Sequence, residues 1–422
     1  MNNKTIKSKE IFLYGILGIP LAFLGFPLYI YLPTFYVEYI GLNIGLVGFV
    51  LLIARLLDMI LDPYIGKITD KYNNFNIILF SSFVVLFGLY FLIKPIYFTW
   101  IWLFSFSLIT YISYSFVMIP YLTLNSKLSN NSINNSINNT KLAFSREIFI
   151  IIGVLFALLF PYLFSLAQDS QKSLELLLNI ILIIFPIFSM IFYLQFKNKE
   201  TTKEKKEDKS FFESVNIFFI NFPQHKKLFF AFFLNNLANA LPATLFLFFV
   251  KYILDLEDKT GLFLIVYFLS AIITFPLWIK LSLKISKKTT WILSMILASS
   301  AFVFVPFLQS HDFMYFLIIC ILTGMCLGAD MALPSSIQSD VAQESVKRNN
   351  DISGILFGFW AMITKFSLAL AVAISFITLE FTSFDTANIN ENSIIALIVL
   401  YSILPIVFKA SSIILLIKYK LT

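Results

Sequence analysis

Long apolar runs separated by short polar breaks restrict most strongly how this chain can fold. A helix needs about 20 mainly apolar residues to cross the hydrocarbon core of a bilayer. Of the 422 residues, 59% are hydrophobic and 13% are charged, which excludes an ordinary soluble protein. The runs predict twelve transmembrane helices, at about residues 12–34, 44–66, 76–94, 98–120, 143–167, 174–196, 227–252, 261–280, 289–308, 313–335, 353–379 and 394–417.

The distribution of Lys and Arg predicts the orientation of these helices. Positive residues near the ends of membrane spans favour the cytoplasmic side. With the N-terminus inside, 24 of the 31 basic residues fall in inner segments, four in outer segments and three within spans. We therefore expect both termini to be cytoplasmic. The net charge of +7 follows from these inner loops and gives no support for binding nucleic acid.

A charged tract near the middle of the chain divides the predicted spans into two groups of six. We expect an N-terminal half at 1–196, a cytoplasmic charged linker at 197–226 and a C-terminal half at 227–422. Two six-helix halves joined by an inner loop are typical of the major facilitator superfamily, in which the halves alternate access to a midplane site. A second tract, Asn125–Thr140, is rich in Asn and Ser and predicts a spacer loop.

Three charged residues lie inside the second apolar run, namely Arg55, Asp58 and Asp62. Their spacings of three, four and seven place all three on one face of a helix. Charges inside a membrane usually face a bundle interior or a wet cavity and mark ion or substrate paths. The chain is therefore predicted to move a solute across a membrane. A structural ion-pair network joining helices is the alternative interpretation of this stripe.

The stretch Ala54–Gly66 resembles a motif of the glycoside-pentoside-hexuronide:cation symporter family, the group of the melibiose permease. It reads Arg-x-x-Asp-x-x-x-Asp-Pro-x-x-Gly and continues to Asp70-Lys71. Ser145-Arg146-Glu147 and Lys365 are also similar to family segments. The resemblance implies the major facilitator fold and a cation-coupled symporter.

The resemblance also implies roles for six residues. Asp58, Asp62 and Ser115 would bind the coupling cation. Tyr114, Arg146 and Lys365 would line the substrate side.

Four positions depart from the family pattern. The sugar-binding Asp residues of the family fall at Ala22 and Met118, a nearby Trp falls at Leu122, and an Asn beside the second cation-site Asp is Leu61. The chain therefore lacks the carboxylates with which the family holds a glycoside. Loss of an oxygen ligand at Leu61 favours H⁺ over Na⁺ as the coupling ion, because a dehydrated alkali ion needs several oxygens.

Other polar residues within spans carry further expectations. Asn235 and Asn239 could bind a polar solute, or could join helices by hydrogen bonds. Asp330 is expected to have a gate or helix-end role. Arg146 could instead extend its head to the membrane interface, and Lys365 could pair with a carboxylate such as Asp58 or lie near backbone carbonyls.

A charge network and gate are predicted from the second span and the residues that follow it. Arg55 belongs to the charge network, and Gly66, Asp70 and Lys71 form a cytoplasmic Gly-x-x-x-Asp-Lys latch.

The sequence thus predicts an all-α polytopic secondary transporter that works by alternating access. We expect symport of a small polar organic solute, sugar-like in character, with H⁺ favoured over Na⁺. A lysolipid-like solute is the alternative substrate class, and a receptor or scaffold that does not transport is the alternative of another kind. We expect no enzymatic activity, cofactor or resident metal. The expected partners are a small solute and the bilayer, for a monomer in the inner membrane of a bacterium.

Overall fold

The computed structural model describes residues 6–129, 135–163, 170–199, 210–221, 225–348, 351–384 and 390–419. Within these ranges the regular secondary structure is helical throughout. The described helices are α1 (Ser8–Gly15), α2 (Gly18–Glu38), α3 (Ile44–Lys71), α4 (Asn74–Ile93), α5 (Trp100–Ser129), α6 (Asn135–Leu163), α7 (Ser170–Phe196), α8 (Phe211–Asn221), α9 (His225–Tyr252), α10 (Thr260–Ile285), α11 (Lys287–Phe302), α12 (Phe313–Lys347), α13 (Ser353–Phe381), α14 (Glu391–Ile398) and α15 (Leu404–Ile417).

Eleven segments of the described residues are long and apolar enough to cross a membrane. The 28-residue helix α3, which carries the charged stripe, corresponds to the remaining predicted span. The predicted spans 12–34 and 394–417 are not single α-helices, and the span 289–308 consists of α11 followed by a 3₁₀ turn, Val305–Phe307. The span 12–34 consists of α1 and α2 with a turn at 16–17, and the span 394–417 contains a π-helical turn, Val399–Ile403, between α14 and α15.

Polar residues at helix ends explain where several helices begin. The side-chain oxygen of Asn43 accepts hydrogen bonds from the amides of Gly45 and Leu46 at the start of α3. Asn73 caps α4 in the same way through the amide of Asn76. These caps satisfy backbone donors that have no partner within the helix. Each cap thus marks the first turn of its helix.

The chain divides into two compact units. The first contains Met1–Phe218 and Gln338–Met362, and the second contains Phe219–Ile337 and Ile363–Thr422. The C-terminal end of α12 and the N-terminal end of α13 thus belong to the first unit. Each unit has its own apolar core, built mainly from Leu, Ile, Val and Phe side chains.

Both polar tracts noted in the sequence contain helix. Within the predicted linker, Phe211–Asn221 forms α8, whereas 200–209 and 222–224 lie outside the described residues. The spacer prediction for Asn125–Thr140 is wrong for its described part. Helix α5 continues to Ser129 and α6 begins at Asn135, because their polar side chains bond to the end of α12.

That bonding forms a polar cluster within the first unit. Asn125 donates to Ser339 (2.8 Å), and Asn139 donates to Asp340 (2.7 Å). Gln343 donates to the hydroxyl of Ser129 at 2.6 Å. Six side chains from three helices therefore hold α12 against α5 and α6, and the Asn and Ser residues that suggested a loop are packing residues.

Candidate transport site

The charged stripe of α3 lies against α5. Asp58 and Asp62 are both fully buried, one helical turn apart. Ser115 of α5 donates a hydrogen bond of 2.7 Å to Asp58, and Arg55 lies 3.7 Å from the other oxygen of the same carboxylate. The structure therefore brings Ser115 to Asp58, as the resemblance implied.

Arg55 is held in place by an aromatic ring. Its guanidinium lies 4.2 Å from the ring centroid of Tyr111, which is four residues before Ser115 on α5. A cation stacked on a ring is attracted by the ring's quadrupole. The Arg55 side chain is still 35% exposed, whereas Asp58 is fully buried. The site therefore places two buried carboxylates and the guanidinium of Arg55 close together, an arrangement that suits a bound cation or proton.

Pro63 follows the second carboxylate and removes one backbone hydrogen bond from α3. The helix is also tightly packed here against α13. A Cβ on Gly358 would come within 2.5 Å of the carbonyl oxygen of Asp62, and a Cβ on Gly66 would overlap the backbone of Gly354. Only glycine permits this approach, so α3 and α13 are in backbone contact next to the carboxylate pair.

The predicted latch lies one turn further along α3. Asp70 accepts hydrogen bonds from the backbone amides of Gly354 (2.6 Å) and Ile355 (3.2 Å) at the start of α13. A carboxylate at a helix N-terminus satisfies free amides and complements the helix dipole. Asp70 lies beyond the predicted span. Desolvation, reinforced by the negative charge of Asp351, raises the pKa of Asp70 to about 7. Lys71 contacts the ring of Tyr72 at 5.9 Å.

Arg146 forms a second buried charge cluster in the first unit. Its side chain is 1% exposed and donates twice to Glu147, at 2.6 and 3.0 Å. The interface-directed orientation considered for Arg146 is therefore wrong. Beside the pair, the hydroxyls of Tyr14 and Tyr121 donate to each other's backbone carbonyls. Tyr114, half-buried on α5, lies within electrostatic range of Glu147 and of Asp58.

In the second unit, Asp330 pairs with a residue to which the sequence gave no role. Lys409 of α15 lies 2.6 Å from Asp330 of α12, and the two side chains are 6% and 4% exposed. Lys409 also donates to the amide oxygen of Asn235 at 2.9 Å. Ser294 and Asn239 donate to Asp330, at 3.0 and 3.5 Å. Asp330 does not lie at a helix end, because α12 continues to Lys347.

Sequence reasoning therefore found Asp330, Asn235 and Asn239 but missed Lys409. The available signal was a single Lys inside the last apolar run, which is the same signal that singled out Lys365. Lys365 is half-buried on α13, in the second unit. Its pairing with Asp58 stays a prediction. Within the described ranges no three His, Cys, Asp or Glu side chains form a group that could hold a metal ion.

Comparison with known families decides the class of the protein. The model of the family described as MFS/sugar transport protein matches residues 13–422. The chain belongs to this family. Its membership confirms the expectations of a membrane transporter of the major facilitator superfamily and of a protein that is not an enzyme.

Solved structures with the same fold include distant transporters. A crystal structure of the E. coli fucose:proton symporter has a TM-score of 0.72 and 12% identity, covering 98% of this chain and 99% of that one. A bacterial homologue of the iron transporter ferroportin, in its outward-facing state, has a TM-score of 0.71 and 13% identity. The match covers 97% of this chain and 99% of that one. At such identities the likeness establishes the fold alone, which confirms the predicted all-α major facilitator architecture.

Curated relatives match shorter parts of the chain. The sodium-dependent lysophosphatidylcholine symporter 1-A of Danio rerio is 28% identical over 163 residues, which is 38% of this chain and 30% of the relative. The sodium-dependent lysophosphatidylcholine symporter 1 of Xenopus tropicalis is 25% identical over 215 residues, which is 50% of this chain and 41% of the relative. The chain thus matches less than half the length of these relatives.

Proposed function

We propose that the chain is a cation-coupled symporter that belongs to the melibiose-permease-like branch and carries a small polar organic solute, sugar-like in character. The buried carboxylates of Asp58 and Asp62, with Ser115 donating to Asp58, carry this proposal. Two neighbouring buried carboxylates form a site that can hold a cation or a proton. Loading and unloading that charge as the site alternates between the two membrane faces would couple the solute to the ion gradient.

The proposed coupling ion is H⁺. Leu61 stands where the resembling family offers an amide oxygen, so Asp58, Asp62 and Ser115 supply fewer neutral ligands than a dehydrated alkali ion requires. A proton needs only one carboxylate. The curated relatives are named as sodium-dependent, and Na⁺ is therefore the competing ion.

The proposed solute site is formed by Tyr114, Arg146 and Lys365. Arg146 is positioned by Glu147, and its planar guanidinium carries five donors. Such a group recognises carboxylate, phosphate or vicinal hydroxyl oxygens. This set would hold the polar part of the solute on the substrate side of the cation site.

A lysolipid-like solute is a second candidate, because apolar residues replace the family's sugar-binding groups. Ala22 and Leu122 are each 6% exposed and Met118 is half-buried, so none of the three offers a hydrogen bond. The similarity to lysophosphatidylcholine symporters also favours this candidate. Binding assays with melibiose, glucuronate and lysophosphatidylcholine would distinguish the two substrate classes.

We further propose that the protein acts as a monomer in the inner membrane of a bacterium, with both termini cytoplasmic. The excess of Lys and Arg in the inner segments supports this orientation. Labelling of single cysteines introduced near the two termini, from one side of the membrane at a time, tests it.

Replacement of Asp58 tests the proposed function. Asp58→Asn keeps the size and the hydrogen bond from Ser115 but removes the charge. We expect it to abolish uphill uptake while exchange of labelled for unlabelled solute continues, because exchange does not require the ion to be released. Uphill uptake at the wild-type level by this variant would refute the role of Asp58.

A double-mutant cycle tests the proposed partnership of Asp58 and Lys365. If the two residues act together, the losses caused by Asp58→Asn and Lys365→Ala will not add. Additive losses would show that they act separately.

A further inference from the structure

The cluster around Asp330 contains two adjacent donors that have capacity for another acceptor. An ammonium group has three N–H donors. In the described chain, Lys409 contacts two acceptors, one oxygen of Asp330 and the amide oxygen of Asn235. The amide nitrogen of Asn235 has no hydrogen-bond partner among the described residues, although the side chain is fully buried.

These two donors are neighbours in space. The amide nitrogen of Asn235 is bonded to the same carbon as the oxygen that Lys409 contacts at 2.9 Å. A buried donor left without an acceptor is costly, and native proteins usually supply a partner for it. An oxygen placed between α9 and α15 could accept from both groups at once.

Both oxygens of the Asp330 carboxylate already have hydrogen-bond donors. Asp330 accepts from Ser294, Asn239 and Lys409, which lie on three different helices. The buried group of this cluster that lacks a partner among the described residues is thus a donor, the amide nitrogen of Asn235, which favours a ligand that brings oxygen lone pairs. The strongest such ligands for an ammonium group are carboxylate and phosphate oxygens.

We propose that Lys409 and Asn235 bind an anionic oxygen of the transported solute, a carboxylate or a phosphate, and that Asp330 takes up a proton when it binds. This rests on the proposed function and specifies the charge of its solute.

Charge balance requires the proton. Asp330 and Lys409 together are neutral, and an added anion would leave one uncompensated negative charge in a buried site. Protonation of the carboxylate of Asp330 by a proton from water restores neutrality. The hydroxyl of Ser294 can donate to the ionised carboxylate and accept from the protonated one. The anion and the proton are therefore carried together.

The groups that can influence this protonation lie on three helices. Lys409 faces Asp330 from α15, and Tyr267 interacts with it electrostatically from α10. Cys326, one turn before Asp330 on α12, interacts with both members of the pair. Lys409 is the charged group among these.

Calorimetric titration of the full-length protein in micelles tests the proposal. The soluble probes are glucuronate and glucose 6-phosphate, with glucose as their neutral control. The lipid probe is lysophosphatidate, which carries a net negative charge, with a monoacylglycerol as its control. Titrations in two buffers of different ionisation enthalpy report the number of protons taken up. Binding of the soluble probes identifies a soluble solute, and binding of the lipid probe alone identifies a lipid headgroup.

We expect at least one anionic probe to bind with uptake of one proton. Its affinity should then fall about tenfold for each pH unit once Asp330 is ionised in the free protein. Asp330→Asn, which imitates the protonated acid, should bind the same probe without proton uptake.

Asn235→Leu removes the unused donor and should weaken binding about tenfold or more. The matched control is Asn236→Leu, which also removes a buried amide nitrogen without a partner among the described residues but bonds to neither Asp330 nor Lys409, and it should leave binding unchanged. The double variant Asp330→Asn/Lys409→Met removes both charges of this buried pair. It should fold and fail to bind the anion.

The proposal is overturned if no anionic probe binds, if neutral controls bind equally well, or if Asn235→Leu binds like the wild type. Wild-type binding by the double variant, or binding without proton uptake, also overturns it. Asp58→Asn should retain anion binding and its proton uptake, because Asp58 belongs to the other unit. Failure of the Asp330 site can therefore be distinguished from failure of the cation site at Asp58.

Discussion

Replacing Lys409 by Met should destabilise the protein strongly at neutral pH. The change keeps the apolar stem of the side chain and removes the charge that lies 2.6 Å from Asp330. Asp330 would retain the donors Ser294 and Asn239 but would lose its cation. Removing one member of a buried ion pair costs about 3 to 5 kcal/mol, because the other charge stays buried.

The pH dependence of this loss can be worked out. Without Lys409, the buried carboxylate of Asp330 can lose its charge by taking up a proton. Keeping an acid that ordinarily ionises near pH 4 protonated at pH 7 costs about 4 kcal/mol, and this cost falls by about 1.4 kcal/mol for each unit of lower pH. We therefore expect Lys409→Met to lower the free energy of unfolding by about 4 kcal/mol at pH 7 and by about 1.5 kcal/mol at pH 5.

Reversible unfolding by SDS in mixed micelles, followed by circular dichroism, measures this difference. Lys251→Met is the matched control, because Lys251 pairs with Glu257 at a site where the two side chains are 45% and 68% exposed. It should cost little, because water screens an exposed ion pair. The double variant Asp330→Asn/Lys409→Met should recover most of the loss. A Lys409→Met variant as stable as the Lys251 control at pH 7, or a loss that does not shrink as the pH falls, would refute the reasoning.

Three further outcomes follow from the first unit. Gly66→Ala should destabilise the protein in SDS unfolding, because its Cβ would overlap the backbone of α13. Gly48→Ala on the same helix is the control: its Cβ would meet open space, so it should be neutral or stabilising by up to about 1 kcal/mol. The stability of the wild-type protein should decline as the pH rises from about 4 to about 7. Burial raises the pKa of Asp70 to about 7, so the folded protein holds a proton that the unfolded chain has lost over this range. Asp70→Asn should remove this decline, and an unchanged pH profile would contradict it. Ser115→Ala should raise the half-saturating concentration of the coupling ion about tenfold or more in uptake assays, because it removes the hydrogen bond to Asp58.

The sequence predicted most of the fold because hydropathy is read directly along the chain. Transmembrane helices must satisfy their backbone hydrogen bonds internally, so long apolar runs indicate helices with few alternatives. The errors lie where polar residues continue a helix. Asn125 and Asn139 suggested a loop because asparagine favours turns. Their hydrogen bonds to Ser339 and Asp340 keep them within helices.

The candidate site could be predicted in part for a similar reason. Helical periodicity alone places Asp58 and Asp62 on one face. The partner of each charge depends on which helices pack together. Periodicity along a single helix does not contain that information. The Asp330–Lys409 pair joins residues 79 positions apart. The sequence therefore identified the charges inside spans more reliably than it identified their partners.

The most direct test of cation coupling at Asp58 is solute accumulation driven by an imposed gradient. Proteoliposomes of the wild type and of Asp58→Asn are given either a pH gradient or a Na⁺ gradient, with the membrane potential clamped, and labelled melibiose, glucuronate and lysophosphatidylcholine are supplied. We predict that the wild type accumulates one of these solutes when the pH gradient is imposed, and that Asp58→Asn does not. Accumulation driven by Na⁺ at fixed pH, with none from the proton gradient, would contradict the proton assignment. Equal accumulation by Asp58→Asn would contradict coupling through this carboxylate altogether.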